Sequence, residues 1–471
     1  MMNNKYDFGM IGLGTMGSNL VLNMTDHGYS VAGYDRDKTK TEALLKQAGN
    51  KNIYGATLLN EFISSLNSPR MILMLVPAGA AVDSVIEELL PLLGEKDLLM
   101  DCGNSHFKDT ESRIDRLATK GIGFMGVGVS GGDEGARHGP SIMPGGDAEM
   151  YKKAEPMLRA IAARVNNEPC VTRTGNRSAG HYVKMVHNGI EYGLMQLLAE
   201  AYHLLKHAGL NNAELHKLFS KWNKGPLHSF LTEITAEIFI KKDDLTVDLL
   251  LDRILDSAHQ KGTGAWTSGN AMELQVPVPV IDAAVSMREM SALKNERISA
   301  EKIFPQQVKN PDKTEHLTGN LEQALHFAML ITYAQGFALI HKASATYGYD
   351  IRQSEIAKIW RGGCIIRSAL LEDIMIAFRA NEDQLNLVSS PELAKKLIAM
   401  QQPARQVVCT AVETGIPMPA LAASLAYFDS YRSGWLPANL IQAQRDYFGA
   451  HTYERTDRKG IFHTQWHTKD Q

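Results

Sequence analysis

The sequence predicts an α/β domain first, then a large all-α domain carrying a duplicated helical unit, then a C-terminal tail. Three observations predict it. Residues 6–35 read as strand, glycine-rich turn, helix and strand. From about Ser178 the apolar residues recur with a helical period, and past residue 434 that period fades into a segment rich in Arg, His, Tyr and Gly.

In "YDFGMIGLGTMGSNLVLNMTDHGYSVAGYDRD" a short β-type run, Tyr6 to Ile11, leads into G-L-G-T-M-G, an apolar-periodic segment and a second strand ending at Asp35. Each glycine has a physical task. Gly12 permits the tight turn, Gly14 lets backbone approach a pyrophosphate, and Gly17 allows the helix to pack closely on the strand. The helix N-terminus then receives the phosphates. A lone glycine pattern of this kind is equally a plain tight turn; its place between strand and helix, with an acidic residue 18 positions beyond Gly17, points to a Rossmann-type dinucleotide domain. Asp35 is the residue type that accepts hydrogen bonds from an unmodified ribose, whereas Arg36 pairs with a 2′-phosphate, so the two together leave NAD and NADP open. Read blandly, Arg36 is a solvated loop arginine.

Further strands read as "RMILMLVPAG", "DLLMDCGNS" and "IGFMGVGVSGG", apolar runs ending in glycine or small polar residues, as in a parallel sheet covered on both faces. Ligands of such sheets lie beyond the carboxyl ends of the strands. Asn104 and the turn Ser130-Gly131-Gly132 stand there and are candidates for touching nicotinamide or substrate, with turn chemistry alone as the competing reading.

The helical part contains a weak internal repeat. Trp222-x-x-Gly225 followed by Ser229-x-Leu231-x-Glu233 recurs as Trp360-x-x-Gly363 followed by Ser368-x-Leu370-x-Glu372, with "AEAYHLLKHA" before one copy and "AQGFALIHKA" before the other. A duplicated helical unit is the simplest account. The closing segment keeps Tyr447, Phe448, Tyr453, Phe462 and Trp466, too many aromatics for a solvated tail, so it is expected to dock on a surface.

The totals exclude several classes. A chain of 471 residues has room for two or three domains, and 44% hydrophobic with 21% charged residues suits a globular enzyme. A net charge of −3 lacks the basic excess of a nucleic-acid binder. Cys102, Cys170, Cys364 and Cys409 show no C-x-x-C spacing, which argues against a disulfide framework or zinc site and fits a reduced cytoplasm. Neither a signal-like start nor a long uninterrupted apolar run is seen, so no membrane association is expected.

"HYVKMVHNGIEY" carries unusual chemistry for a core helix. Lys184, His187, Asn188 and Glu191 fall at i, i+3, i+4 and i+7 and share a face, beside the apolar stripe Val183, Val186, Ile190, Leu194 and Leu197. An ordinary helix with such a face is solvated. This one follows the nucleotide domain directly and adds His and Asn to the charged pair, so lysine and glutamate two turns apart could divide base and acid roles. That requires burial to pull the lysine down from ~10.4 and raise the glutamate from about 4.3.

Taken with "GLGTMG", "DCGNS", "GVSGGDEGARHGPSIMPGG", "GHYVKMVHNGIEYG", "QKGTGAWT" and "QRDYFGAHTYE", the chain resembles decarboxylating 6-phosphogluconate dehydrogenases over essentially its whole length. The resemblance implies a dinucleotide-binding domain at 1–177, an all-helical substrate and dimerisation domain at 178–434, and a tail at 435–471 reaching the partner subunit of a cytoplasmic homodimer. It implies NADP as cofactor, held by Gly12, Leu13, Gly14, Thr15, Met16, Gly17, Asp35, Arg36, Asp37, Val76, Pro77, Ala78 and Asn104. It makes Lys184 the general base and Glu191 the general acid, and places Asn104, Ser130, Gly131, Gly132, His187, Asn188, Tyr192, Lys261 and Arg288 around 6-phosphogluconate, with Arg445 and His451 entering from the partner's tail. A phosphate beside a carboxylate calls for such donors. Lys184 would take the C3 hydroxyl proton as hydride leaves, the 3-keto acid would lose CO₂, and Glu191 would protonate C1 of the resulting enediol to give ribulose 5-phosphate. The β-keto acid is its own electron sink, so no metal is expected.

Several positions depart from the family pattern. Asp35-Arg36-Asp37 stands where Asn-Arg-Thr or Asn-Arg-Ser is usual, and Val76-Pro77-Ala78-Gly79 where V-K-A-G is common. Two added carboxylates and a missing lysine weaken attraction for a 2′-phosphate and raise NAD as the alternative. Ala265 replaces the lysine of G-T-G-K-W, and Cys102 a glycine, the latter read as a small buried residue. A β-hydroxyacid dehydrogenase of the 3-hydroxyisobutyrate type shares the fold start and the lysine helix but would lack the second helical unit and the tail. A catalytically silent nucleotide-binding scaffold would lose Lys184 or Glu191.

Overall fold

The computed structural model describes residues 5–304, 311 and 315–466. Its N-terminal part alternates strand and helix: β1 (Phe8–Ile11), α1 (Thr15–Asp26), β2 (Val31–Tyr34), α2 (Lys38–Ala48), β3 (Ile53–Ala56), α3 (Leu59–Ser64), β4 (Met71–Met74), α4 (Ala80–Leu89), β5 (Leu98–Asp101), α5 (Phe107–Ala118), β6 (Gly123–Ser130), α6 (Gly132–His138), β7 (Ser141–Gly145) and α7 (Ala148–Ile161). The seven strands form one sheet in the order β3-β2-β1-β4-β5-β6-β7. All neighbours are parallel except β6 and β7. Strand residues alternate between two cores: Met10, Leu73 and Met100 join Leu20, Met24 and Met157 on one face, while Ile11, Ile72 and Leu99 join Phe62, Ile86 and Leu117 on the other. Burial on both faces is why these strands read as continuous apolar runs. Order reverses at β1, and the cleft between β1 and β4 opens at their carboxyl ends.

A two-residue hairpin, β8 (Arg164–Val165) with β9 (Glu168–Pro169), precedes the helices: α8 (Ala179–His207), α9 (Asn212–Trp222), α10 (Phe230–Ile238), α11 (Thr263–Glu273), α12 (Pro279–Ala292), α13 (Lys294–Ile303), α14 (Glu315–Tyr347), α15 (Gln353–Trp360), α16 (Leu370–Ala380), α17 (Pro391–Thr414) and α18 (Pro419–Tyr431). Long helix, short helix, short helix occurs twice, as α8-α9-α10 and α14-α15-α16. The copies meet at an antiparallel bridge between Ser229 and Ser368, where Phe230 N–H donates to the Arg367 carbonyl and Ala369 N–H to that of His228. Trp222 and Trp360, closing α9 and α15, are both fully buried.

The repeat reaches further than the motifs first indicated. Pro277-x-Pro279 starts α12 and Pro417-x-Pro419 starts α18. Each helix start is capped from the long helix of the other copy: Gln335 of α14 accepts from Val280 N–H at 3.1 Å, and Glu200 of α8 accepts from Ala420 and Leu421 N–H at 2.8 and 3.0 Å. Helix α14 is long and apolar enough to cross a membrane by composition, yet 83% of its most apolar window is buried, where it packs against α8 and α17. Its apolar length serves the core.

The chain divides into two compact units, Met1–Ser424 and Leu425–Gln471. The first takes in both the sheet and the helices expected as separate domains, because α8 packs directly on β6 and β7. Gly180 permits this, since a Cβ there would come 2.2 Å from the Gly126 carbonyl oxygen. In the second unit, α19 (Ala438–Gly449) is followed by a hairpin of β10 (Tyr453–Glu454) and β11 (Ile461–Phe462). Asp446 organises it, accepting from Thr452 and Thr464 N–H, Trp466 Nε1 and His463 Nδ1. Burial opposes ionisation of that carboxyl, but these donors prevail and hold it well below the usual carboxylate range.

Candidate active site

The turn after β1 is sterically tight at two of its three glycines. Gly12 has φ of 93°, and a Cβ there would meet the Leu75 carbonyl oxygen at 2.3 Å; at Gly17 it would meet the Gly12 carbonyl oxygen at 1.9 Å. At Gly14 a Cβ would meet nothing within 4 Å among the described residues beyond its chain neighbours. Gly14 is also the N-cap of α1 and offers no side-chain cap to the first-turn N–H groups, the feature of a helix start that suits an anion. A cavity of about 300 Å³ opens here, lined among others by Gly12, Gly14, Asp35, Arg36, Val76 and Pro77. Leu13, Thr15, Met16, Gly17, Asp37, Ala78 and Asn104 lie outside its wall.

Asp35 holds the turn as well as facing the cavity. One carboxylate oxygen accepts from Leu13 N–H at 2.8 Å and the other from Asp37 N–H at 2.9 Å, and Lys40 Nζ approaches to 3.6 Å. Arg36 donates to Ser84 Oγ at 2.9 Å and pairs with Glu88, both on α4. Lys40 and Glu88 line the cavity and escaped the sequence reading. A basic residue in the first turn of the helix after β2 was the available signal for Lys40; nothing local marks Glu88.

The second centre is on α8. Gly128 of β6 leaves room for it, since a Cβ there would come 2.5 Å from Lys184 Cβ. Lys184 is 6% exposed, and its Nζ donates to Asn188 Oδ1 at 2.9 Å and lies 3.5 Å from His187 Nδ1. His187 Nε2 is 3.2 Å from Ser130 Oγ at the end of β6, and Glu191 Oε2 is 3.8 Å from His187 Nδ1. The four polar residues of one helical face, and Ser130, thus come together. Gly131, with φ of 121°, turns the chain away from β6 beside the Gly363 carbonyl, and Gly132, with φ of 63°, opens α6.

Burial drives the electrostatics. It lowers the Lys184 pKa against the opposing pull of the Glu191 carboxylate, and raises that of Glu191 against the ammonium of Lys184 and the guanidinium of Arg288. His187 is pushed well below its ordinary value by burial and then by Lys184, so it is a neutral hydrogen-bond partner. Tyr192, on the same helix, carries the Arg288 guanidinium 3.4 Å from its ring centre and packs so tightly on α11 that a Cβ at Gly264 would come 2.4 Å from the ring. Lys261 is exposed just ahead of α11. Arg445 and His451 stand in the second unit, both exposed, on and just after α19.

The loop after α15 was not foreseen as part of this centre. Trp360 meets the His187 ring edge-on with centroids 5.6 Å apart, Ile365 N–H points to Ser130 Oγ at 3.5 Å, and the buried Cys364 thiol, pushed up to about 12 mainly by burial, interacts with Lys184. The recurring tryptophan was the signal; its reading as a repeat concealed its place at the site. Cys102 is buried and its thiol also raised by burial.

A buried lysine inclined to be neutral and a carboxyl inclined to be protonated can remove one proton and deliver another. Comparison with known proteins identifies the family. Residues 7–175 match the model of the NAD binding domain of 6-phosphogluconate dehydrogenase, and residues 180–466 that of the 6-phosphogluconate dehydrogenase C-terminal domain. The NADP(+)-dependent, decarboxylating 6-phosphogluconate dehydrogenase of Bacillus subtilis is 50% identical over 466 residues, covering 98% of this chain and 99% of that protein. The decarboxylating 6-phosphogluconate dehydrogenase 1 of Saccharomyces cerevisiae is 49% identical, covering 95% of this chain and 92% of its own. A solved 6-phosphogluconate dehydrogenase of Plasmodium falciparum superposes with a TM-score of 0.94 at 43% identity, over 98% of this chain and all of that one. The chain belongs to the 6-phosphogluconate dehydrogenase family.

Proposed function

We infer that the protein catalyses the oxidative decarboxylation of 6-phospho-D-gluconate to D-ribulose 5-phosphate and CO₂ with reduction of NADP, a step of the pentose phosphate pathway. One observation carries this reading: Lys184 and Glu191 share the buried face of α8 and have pKa values displaced in opposite senses. The dinucleotide fits the residues present, since the open side of Gly14, the uncapped start of α1 and the adjoining cavity form an anion-accepting cleft. When bound, the nicotinamide accepts the hydride released from C3. Neutral Lys184 takes the C3 hydroxyl proton. As its ammonium form it then stabilises the enolate oxygen that develops as CO₂ departs, and protonated Glu191 delivers a proton to C1 of the resulting enediol, the former C2 of the substrate. Asn188 and His187 orient the lysine, and Ser130 holds the His187 ring.

Asn104, Gly131, Gly132, Tyr192, Lys261 and Arg288 complete the substrate surface from this chain, with Lys261 and Arg288 as cations for an anionic sugar acid. Arg445 and His451 are assigned to the site of the partner in a cytoplasmic homodimer. Supporting this, the segment 435–448 exposes Trp435, Leu436, Leu440, Ile441 and Phe448, an apolar surface of the kind that seeks a partner. The segments 1–177, 178–434 and 435–471 serve as nucleotide, substrate and exchange modules in this reading. A 3-hydroxyisobutyrate-type activity is not favoured, because the identity to the Bacillus enzyme runs over 466 residues, tail included.

A preference for NAD is the second reading, supported by Asp35 at the cavity and by the engagement of Arg36 with Glu88. Purified protein supplied with 6-phosphogluconate and either cofactor, with reduced cofactor and CO₂ both followed, tests the whole proposal. Turnover releasing equal amounts of the two is expected. Failure with both cofactors rejects the activity, and a large advantage for NAD establishes the second reading.

A further inference from the structure

Arg113 of α5 is 3% exposed, although "ESRIDRLATK" reads as a solvated helix. Its Nε and Nη2 donate to the two oxygens of Asp83 on α4 at 2.7 and 3.0 Å, and Nη2 also donates to the Gly79 carbonyl at 3.1 Å, in the loop that begins with Val76 and Pro77. Among the described residues its Nη1 makes no hydrogen bond, and it lies 3.6 Å from the carboxylate of Asp101, which is fully buried at the end of β5. Asp101 in turn shapes the loop carrying Asn104: its oxygens accept from Gly103 N–H at 3.0 Å and Ser105 Oγ at 2.6 Å. The Asp101 carbonyl accepts from His181 Nε2 at 3.0 Å, and His181 Nδ1 accepts from Thr110 Oγ1 at 2.7 Å. His181 stands on α8, one turn before Lys184.

We propose that Arg113 is a positioning residue, which fixes the loops 76–79 and 102–105 against each other and against the helix that carries Lys184. Asp101 has no access to water, and a carboxyl group so placed is best served by a cation close by. A guanidinium satisfies it while its fork grips Asp83 and Gly79, three anchors that an ammonium cannot hold in one plane. The two loops leave adjacent parallel strands, β4 and β5, at the edge where nicotinamide and substrate meet in the proposed function, on which the assignment rests. Misplacement of reacting atoms by about 1 Å can slow a step about a hundredfold. A rigid tie among these elements therefore acts on the hydride-donating geometry more than on binding.

The test uses Arg113→Lys and Asp83→Asn in the full chain. Asp83 is half exposed, so its amide variant folds even where the arginine variant does not. Both are expected to lose about ten- to a hundredfold in kcat, with KM for 6-phosphogluconate within about twofold, and to show a larger primary isotope effect with substrate deuterated at C3. Amide hydrogen exchange, which needs no turnover, is expected to quicken in 76–79 and 102–105 together. Unchanged kcat and isotope effect, or quickened exchange in 76–79 with 102–105 unaffected, overturns the proposal. If the unsubstituted chain fails to oxidise 6-phosphogluconate, the activity falls while the exchange measurement still decides whether Arg113 ties the loops.

Discussion

Lys184 works against the fold that holds it. Its pKa is lowered by burial, so the folded chain binds fewer protons there than the unfolded chain between the lowered value and the ordinary 10.5. Stability then rises with pH across that window, and the penalty is fully present below it. Lys184→Met keeps the length of the side chain and discards the charge. The variant is expected to lose oxidation by a factor of at least about a thousand, to bind cofactor as before, and to melt higher near neutrality, with the gain closing as pH approaches ~10. Thermal melts of both proteins across pH check the sign, and a variant less stable at neutral pH contradicts it. The face that carries this lysine was readable from spacing alone, because i, i+3, i+4 and i+7 are purely local relations. Arg113 was not readable, because its burial arises from three elements converging on it.

Glu88 offers a second test at the same scale. It lines the cavity beside the glycine turn and engages Arg36, the residue type suited to a 2′-phosphate. Removing its charge frees the guanidinium and relieves repulsion of the phosphate. Glu88→Gln is expected to raise the kcat/KM ratio of NADP over NAD by about five- to tenfold. Parallel kinetics with the two cofactors suffice, and an unmoved ratio assigns Arg36 to a role away from the 2′ position.

Helix starts are where the elements show their logic. Glu200 is buried, and burial raises its pKa from 4.5 to about 7 against the three donors that surround it, Ala420 and Leu421 N–H and Gln196. Between those values the folded chain holds more protons than the unfolded one, so this group makes stability fall as pH rises from 4.5 to about 7, by ~3 kcal/mol overall. Gln335 in the other copy caps α12 with an amide, which shows that glutamine can take the place. Glu200→Gln is expected to abolish that fall. Denaturant unfolding of both proteins from pH 4.5 to 8 gives the difference curve; a flat one leaves Glu200 with no part in the pH response. The glycine turn and the strands were readable as elements because their patterns repeat within a few residues. The paired P-x-P helix starts escaped, since two prolines in a loop carry no sign of the partner 140 positions away until the caps are seen.

For the whole molecule, the proposed exchange of tails makes activity a property of two chains. Lys184→Met and Arg445→Ala should each be inactive as homodimers. Refolded together at equal amounts they form mixed dimers in which one site has its lysine and the other chain's arginine, so about a quarter of the native activity is expected to return. Recovery of nothing would place Arg445 in the site of its own chain. The alternation of sheet and helix was plain from sequence, while the close seat of α8 on β6 and β7 depended on Gly145 and Gly180 letting backbone meet backbone, a contact no pattern of side chains announces.

The duplicated helices also give this chain an internal control. Aligning "AEAYHLLKHA" with "AQGFALIHKA" sets Lys184, His187, Asn188 and Glu191 opposite Gly319, Glu322, Gln323 and His326, so one copy carries the chemistry and the other only the architecture. In a saturation library, substitutions at matched positions of α8 and α14 would face comparable packing demands. The excess intolerance of α8 would then measure what selection for catalysis adds, within a single molecule and a single experiment.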